Sequence, residues 1–113
     1  MINKEILCIY PKYPNIEGKS QMKFEWDEEK NTLNKRKHQI SFETAAHVFD
    51  DPEYIEMYDF EHSLEEDRYI ALGKVGDILF VVFTERKEAI RLISARLATI
   101  SERRLYYDQD INY

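Results

Sequence analysis

The sequence predicts an α+β fold in which helices pack on an antiparallel sheet, and three observations carry that reading. Two helix-like segments come first, four strand-like runs joined by short returns follow between Tyr54 and Leu97, and a capped helix near Thr99 closes the series. Short returns favour antiparallel neighbours, because a parallel pair needs a crossover of about a dozen residues or more. The 113 residues suit a single domain. We divide them into an N-terminal extension (1–21), a main domain (22–107) and a C-terminal tail (108–113).

In the extension, Pro11 and Pro14 discourage regular structure, Gly18 to Gln21 reads as a linker, and one short strand is expected at Ile6 to Tyr10. Met22 could itself serve as a translation start. The main domain opens with a strand, Lys23 to Trp26, bounded by Asp27. Asp27 is an N-cap because its carboxylate can accept from the free N–H groups of the next turn, and Glu28 and Glu29 suit the positive helix end. That helix runs to about Lys37, where Lys35, Arg36, Lys37 and His38 suit its negative end. Ser41 caps a second helix, Phe42 to Phe49, whose Phe42, Ala45, Ala46 and Phe49 recur at helical spacing. Asp50, Asp51 and Pro52 end it.

The four strands are expected at Tyr54–Phe60, Arg68–Leu72, Ile78–Thr84 and Ala89–Leu97, with a turn at Gly76-Asp77 and a break at Glu85 to Glu88. Ile78 to Thr84 is apolar on both faces and belongs in the centre of the sheet. Thr99-Ile100-Ser101-Glu102 fits the capping box, in which the Thr hydroxyl and the Glu carboxylate satisfy each other's backbone N–H groups, and a last helix follows to about Tyr107.

Composition narrows the function classes. The longest apolar run, Ile78 to Phe83, is far below the roughly 18 residues of a spanning helix, so no membrane role and a cytoplasmic location are expected. The single cysteine, Cys8, cannot build a disulfide framework and should pack as a small apolar residue. No metal-ligand spacing is present and no cofactor is implied. Net charge is −6, which argues against an anionic partner, yet its distribution argues otherwise. Residues 39–67 hold ten acids and no Lys or Arg, whereas residues 68–107 hold eight bases and four acids. Such asymmetry describes either a two-faced molecule or a solvated acidic hairpin.

An ordered set of residues then carries a resemblance: Phe24-x-Trp26-Asp27, Asn34-x-x-Lys37-His38, Ser41-Phe42-x-x-Ala45, Val48-Phe49-x-Asp51, Glu66-x-Arg68, Gly73, Thr84-x-Arg86, Arg91-x-Ile93-Ser94-Ala95-Arg96 and Glu102-Arg103-x-x-Tyr106. Over about Met22 to Tyr107 the chain resembles the BrnT family of toxins from bacterial type II toxin–antitoxin systems. The resemblance implies a RelE-like fold, metal-independent cleavage of an RNA substrate, and neutralisation by a BrnA-like antitoxin. DNA would be reached only indirectly, through that antitoxin's DNA-binding part. Family members commonly have Gly where this chain has Gln39, so the turn after His38 is expected to differ.

Metal-free cleavage can use the RNA's own 2′-hydroxyl as nucleophile. It requires a base, cationic donors for the charge developing on phosphorus, and an acid for the leaving oxygen. Arginine suits the second role because its planar fork grips two phosphate oxygens at once, which nominates Arg68, Arg86, Arg91 and Arg96. Arg91 and Arg96 have opposite strand parity, so both reach one phosphate only through a bulge or a comparable distortion. For proton transfer the candidates are His38, since a histidine's ordinary pKa of about 6.5 suits it, and Glu66, which could instead orient Arg68. Lys37, Ser94, Arg103 and Tyr106 complete the set as RNA contacts, Tyr106 by stacking on a base. Glu102 is assigned to the capping box, and His47 and His62 receive surface or packing roles. The alternative from another class is a catalytically silent module that binds its antitoxin in an autoregulatory DNA-bound complex.

Overall fold

The computed structural model describes residues 22–109 and the backbone of residues 5–10. The linker expected at Gly18 to Gln21, the Cys8 side chain and the tail beyond Gln109 lie outside the described residues. Six strands form one sheet: β1 (Glu5–Tyr10), β2 (Met22–Asp27), β3 (Ile55–Tyr58), β4 (Tyr69–Val75), β5 (Asp77–Arg86) and β6 (Ala89–Leu97). Their order across the sheet is β1-β2-β6-β5-β4-β3. The helices are α1 (Glu28–His38), α2 (Phe42–Ala45) and α3 (Ile100–Asp108).

From β3 to β6 the chain is the expected antiparallel meander. The sheet is mixed, however, because β2 runs parallel to β6 over Lys23–Glu25 and Ala89–Arg91. The short-return rule could not reach this pair, since all the helices before β3 and the whole meander separate its strands. Two expected elements are shorter than their patterns. The helix after Ser41 tightens at Ala46 into a 3-10 turn that runs to Asp50, and the strand expected to reach Phe60 ends at Tyr58, followed by a 3-10 turn over Phe60–His62.

One face of the sheet carries the main core, in which Phe24, Trp26, Phe42, Val48, Phe49, Val81, Phe83 and Leu92 are all essentially inaccessible. The 3-10 turn presses on β4 at Gly73. A Cβ there would stand 2.5 Å from Val48 Cγ1 and 2.9 Å from the Val48 carbonyl oxygen, so this close approach needs glycine. On the opposite face, Tyr106 of α3 closes a smaller cluster with Leu72 and Ile78.

Helix α1 has almost no apolar side, and its buried residues are Asn31 and Asn34. Hydrogen bonds hold it instead. Asn34 Nδ2 donates to the carbonyls of Ala95 (2.8 Å) and Ile40 (2.9 Å), and Asn34 Oδ1 accepts from Ala95 N–H. Asn31 Oδ1 accepts from Phe42 N–H at 2.7 Å. The helix begins as expected, with the Asp27 carboxylate accepting from Glu29 and Lys30 N–H. It ends at Gln39, which takes φ +60° and sends its N–H back to the Lys35 carbonyl. The left-handed stop usual for glycine therefore forms here on a residue with a Cβ.

Two outcomes follow for stability. Gly73→Ala should destabilise by about 1–3 kcal/mol through overpacking against the Val48 backbone. Gln39→Gly should stabilise by about 1 kcal/mol by relieving the left-handed conformation. Urea denaturation of both variants beside the wild type measures each.

Candidate functional site

Cross-strand register decides which side chains share a face, since residues directly opposite in an antiparallel pair point the same way. On β5, Leu79, Val81 and Phe83 enter the main core, so Phe80, Val82, Thr84 and Arg86 point to the other face. Along β6 the register reads Arg91 to Thr84 and Leu92 to Phe83, and then Ser94 to Val82 and Arg96 to Phe80. Ile93 is the extra residue. This bulge reverses the parity of β6, so Arg91, Ser94 and Arg96 all point to the face opposite the main core. It is the distortion that joint use of Arg91 and Arg96 requires. Arg68, immediately before β4, shares the parity of Ile70, the partner of Val82, and so belongs to the same face.

A cleft of about 420 Å³ opens there. Ile70, Phe80 and Val82 form its apolar floor, and Asp59, Glu61, His62, Arg68, Ser94 and Arg96 supply its polar groups. Three of the four arginines on this face are held by carboxylates from three different segments. Arg86 meets Glu66 at 3.3 Å, Arg91 meets Glu25 at 3.1 Å, and Arg96 makes a two-pronged pair with Glu102 at 2.9 and 3.0 Å. Arg96 also lies over the Phe80 ring, with Cζ 3.8 Å from its centroid. Arg68 differs. Among the described residues its guanidinium has no acidic partner, and its buried Nε has no hydrogen-bond partner. It is therefore the arginine most ready to take an anion.

The remaining sequence candidates separate. Glu66 pairs with Arg86 rather than with Arg68. His38 lies one turn beyond Asn34 on the same side of α1, half-buried. It does not line the cleft, and it makes no hydrogen bond or ion pair among the described residues. Lys37 and Arg103 are exposed on α1 and α3, outside the cleft lining. Tyr106 corrects the stacking expectation. It is 6% exposed and its hydroxyl donates to Asp51 Oδ2, so it locks α3 down rather than meeting a base.

That lock shifts both partners. Burial raises the Tyr106 hydroxyl well above its ordinary value, and Asp51 adds to the rise. Burial also pushes Asp51 up, but donors from Tyr106, Glu53 N–H and Lys74 N–H outweigh it and leave its carboxyl below the usual range. Nearer the cleft, the Arg96 hydrogen bonds hold Glu102 low against burial, helped by the Thr99 backbone. The Thr99–Glu102 capping box is present as expected. Glu102 thus does two jobs at once, starting α3 and fixing Arg96.

Two features here escaped the sequence reading. His62, expected to have only a surface or packing role, lines the cleft and binds the Asp59 carboxylate through Nδ1 at 3.0 and 3.2 Å. The available signal was the three-residue spacing of Asp59 and His62 beside a strand end. Glu25 was read only as part of a strand, and nothing local announces its partner 66 residues away.

Because the Glu102 pKa is depressed, its stabilising contribution is complete above the unfolded value of about 4.3 and is lost as pH falls toward the folded one. Glu102→Gln should therefore lower stability by about 1 kcal/mol at pH 7, the partly exposed Arg96 limiting the loss. Below about pH 4 the mutant and wild-type curves should converge; urea denaturation from pH 3 to pH 7 reads this out.

Comparison with known proteins bears on the family and the fold. The chain matches, over residues 26–102, the family described as the ribonuclease toxin BrnT of type II toxin–antitoxin systems. Its structure is similar to the crystal structure of the Brucella abortus ribonuclease toxin BrnT. The two are 25% identical with a TM-score of 0.53, and the match covers 66% of this chain and 92% of that one. No individually curated protein matches the chain. With the family match spanning more than half of its length, this chain belongs to the BrnT family of ribonuclease toxins of type II toxin–antitoxin systems.

Proposed function

We propose that this toxin is a metal-independent endoribonuclease that acts in the cytoplasm. It cuts RNA by attack of the substrate's 2′-hydroxyl on the adjacent phosphorus, and the cleft holding Arg68, Ser94 and Arg96 is where that phosphate sits. The observation that carries this reading is the bulge at Ile93, which gathers Arg91, Ser94 and Arg96 on the face that also bears Arg68 and Arg86. A phosphate seated between Arg68 and Arg96 meets the open fork of Arg68 and the N–H groups that Arg96 does not give to Glu102 and Leu97. The charge that grows on its oxygens during attack is stabilised by donors already in place. The apolar floor of Ile70, Phe80 and Val82 lowers the local dielectric and strengthens those contacts.

Arg86 and Arg91 extend the cationic row beyond the cleft and guide the flanking backbone. Lys37, His38 and Arg103 lie outside the cleft and serve the strand on either side. Glu66, paired with Arg86, positions that arginine. A RelE-like relationship is in keeping with this mixed sheet with helices on both faces. The partner that belongs to such a toxin is an antitoxin, which we take to be BrnA-like and to bring the complex to DNA.

The net charge of −6 favours one rival, a toxin fold that binds its antitoxin without cutting RNA. One variant separates the two. Arg68→Ala should reduce RNA cleavage in chelator by about 100-fold or more and abolish growth arrest. Its thermal midpoint should match wild type or exceed it, since an unpartnered buried donor has been removed. Arg68→Lys should recover only part of the activity, because a point charge replaces a fork. Wild-type protein that leaves RNA intact and growth unaffected selects the silent module.

A further inference from the structure

Within the cleft, one pair of residues has the geometry of an acid–base device that none of the family motifs marks. His62 stands at the end of the 3-10 turn Phe60–His62. Its Nδ1 lies 3.0 and 3.2 Å from the two oxygens of Asp59. Asp59 is buried, with 9% of the residue exposed, and its backbone is fixed independently of its carboxylate. Its N–H donates to the Arg68 carbonyl at 2.9 Å, and its carbonyl accepts from the Ser63 hydroxyl. The Ser63 hydroxyl oxygen in turn accepts from Arg68 N–H at 2.9 Å. The loop that carries His62 is thereby pinned to the residue that carries the unpartnered guanidinium. With Nδ1 taken by Asp59, Nε2 is the ring nitrogen left to act in the cleft that His62 shares with Arg68, Ser94 and Arg96.

On the reading that the cleft binds the scissile phosphate, we infer that His62 is the general base of the cleavage reaction and that Asp59 is its positioning residue. Asp59 accepts a hydrogen bond from Nδ1–H and so leaves the Nε2 lone pair for the substrate, the arrangement by which a buried carboxylate sets the tautomer of a catalytic imidazole. Nε2 removes the proton of the 2′-hydroxyl, the 2′-oxygen forms a bond to phosphorus, and the bond from phosphorus to the 5′-oxygen breaks. The departing oxygen takes a proton from water in the open cleft, and His62 later returns its own to solvent. The products are a 2′,3′-cyclic phosphate and a 5′-hydroxyl. The charged groups facing His62 are Asp59 on its own segment, Glu61, Glu65 and Glu66 from the loop around it, and Arg68 and Arg96 across the cleft.

The test measures cleavage of a single-stranded RNA in chelator by wild type, His62→Ala, Asp59→Asn and Arg68→Ala. Alongside it, binding of the same oligonucleotide is measured with 2′-deoxyribose at the cut site. His62→Ala should lose about 100-fold or more in kcat/KM, mostly in kcat, while binding the uncleavable strand as wild type does. Arg68→Ala should lose binding as well. Asp59→Asn should lose less than His62→Ala and should displace the limb of the pH–rate profile that His62→Ala removes. Nitrogen NMR of the histidines should find the neutral His62 ring protonated on Nδ1 in wild type and altered in Asp59→Asn. A wild-type enzyme that cuts RNA while His62→Ala retains its rate overturns the role of His62 and leaves the ribonuclease reading intact, as does rate loss in His38→Ala with His62→Ala unchanged. A wild type that fails to cut overturns both.

Discussion

The structure depends on how the second half of β6 is satisfied. Strand β2 pairs with β6 only over Ala89–Arg91, so among the described residues the backbone beyond it has no strand on that side. The Asn34 side chain takes the place of the missing neighbour, giving one donor and one acceptor to Ala95. A carboxamide can do this because it carries both functions on one planar group. Leaving either backbone group buried and unmet would cost about 1–3 kcal/mol. The same contact fixes α1, which has no apolar stripe with which to pack, and it holds β6 two residues past the bulge at Ile93. Helix, sheet edge and cleft therefore rest on one side chain.

The acidity of the chain is compatible with an anionic substrate once the acids are given their partners. Asp51 holds Tyr106 and the Lys74 backbone, Asp67 accepts from Tyr58, Glu56 accepts from Tyr54, and Asp59 meets His62. Glu25, Glu66 and Glu102 are counter-ions to the arginines of the open face. Much of the acidic stretch thus fastens the fold, with Glu56 and Asp67 keeping their charge at the surface. The ion pairs also order the arginine side chains in advance, so a ligand meets groups already close to their working positions. Among the described residues Arg68 has no such acid, and it is held by its backbone bonds to Ser63 and Asp59.

What could be read from residues alone was whatever has a local cause. The caps at Asp27, Ser41 and Thr99, the central strand from Ile78 and the meander follow from neighbouring residues, and each is present. The opposed parity of Arg91 and Arg96 was legible too: it called for a bulge, a strand end or an edge twist, or else for one of the two outside the site, and the strand carries a bulge. The parallel pairing of β2 was not legible, because it joins segments with no short connection. Nor was the tightening at Ala46, which reflects the approach of Val48 to Gly73. The cleft was half visible. Arg68, Ser94 and Arg96 stand in it, whereas His62 enters through the fold of a loop whose sequence, read alone, is only acidic.

The bulge makes the site a matter of counting as well as of chemistry. An exchange at Ile93 for another residue leaves the alternation beyond it intact, and Ser94 and Arg96 keep their side of the sheet. A regular ladder that kept Ile93 would instead carry the Arg96 guanidinium into the aromatic core and turn Ala95 outward, although every functional side chain would still be present in the chain. The odd five-residue step from Arg91 to Arg96 therefore needs one extra residue in the strand, whereas an even step would hold both arginines on one face with no bulge at all.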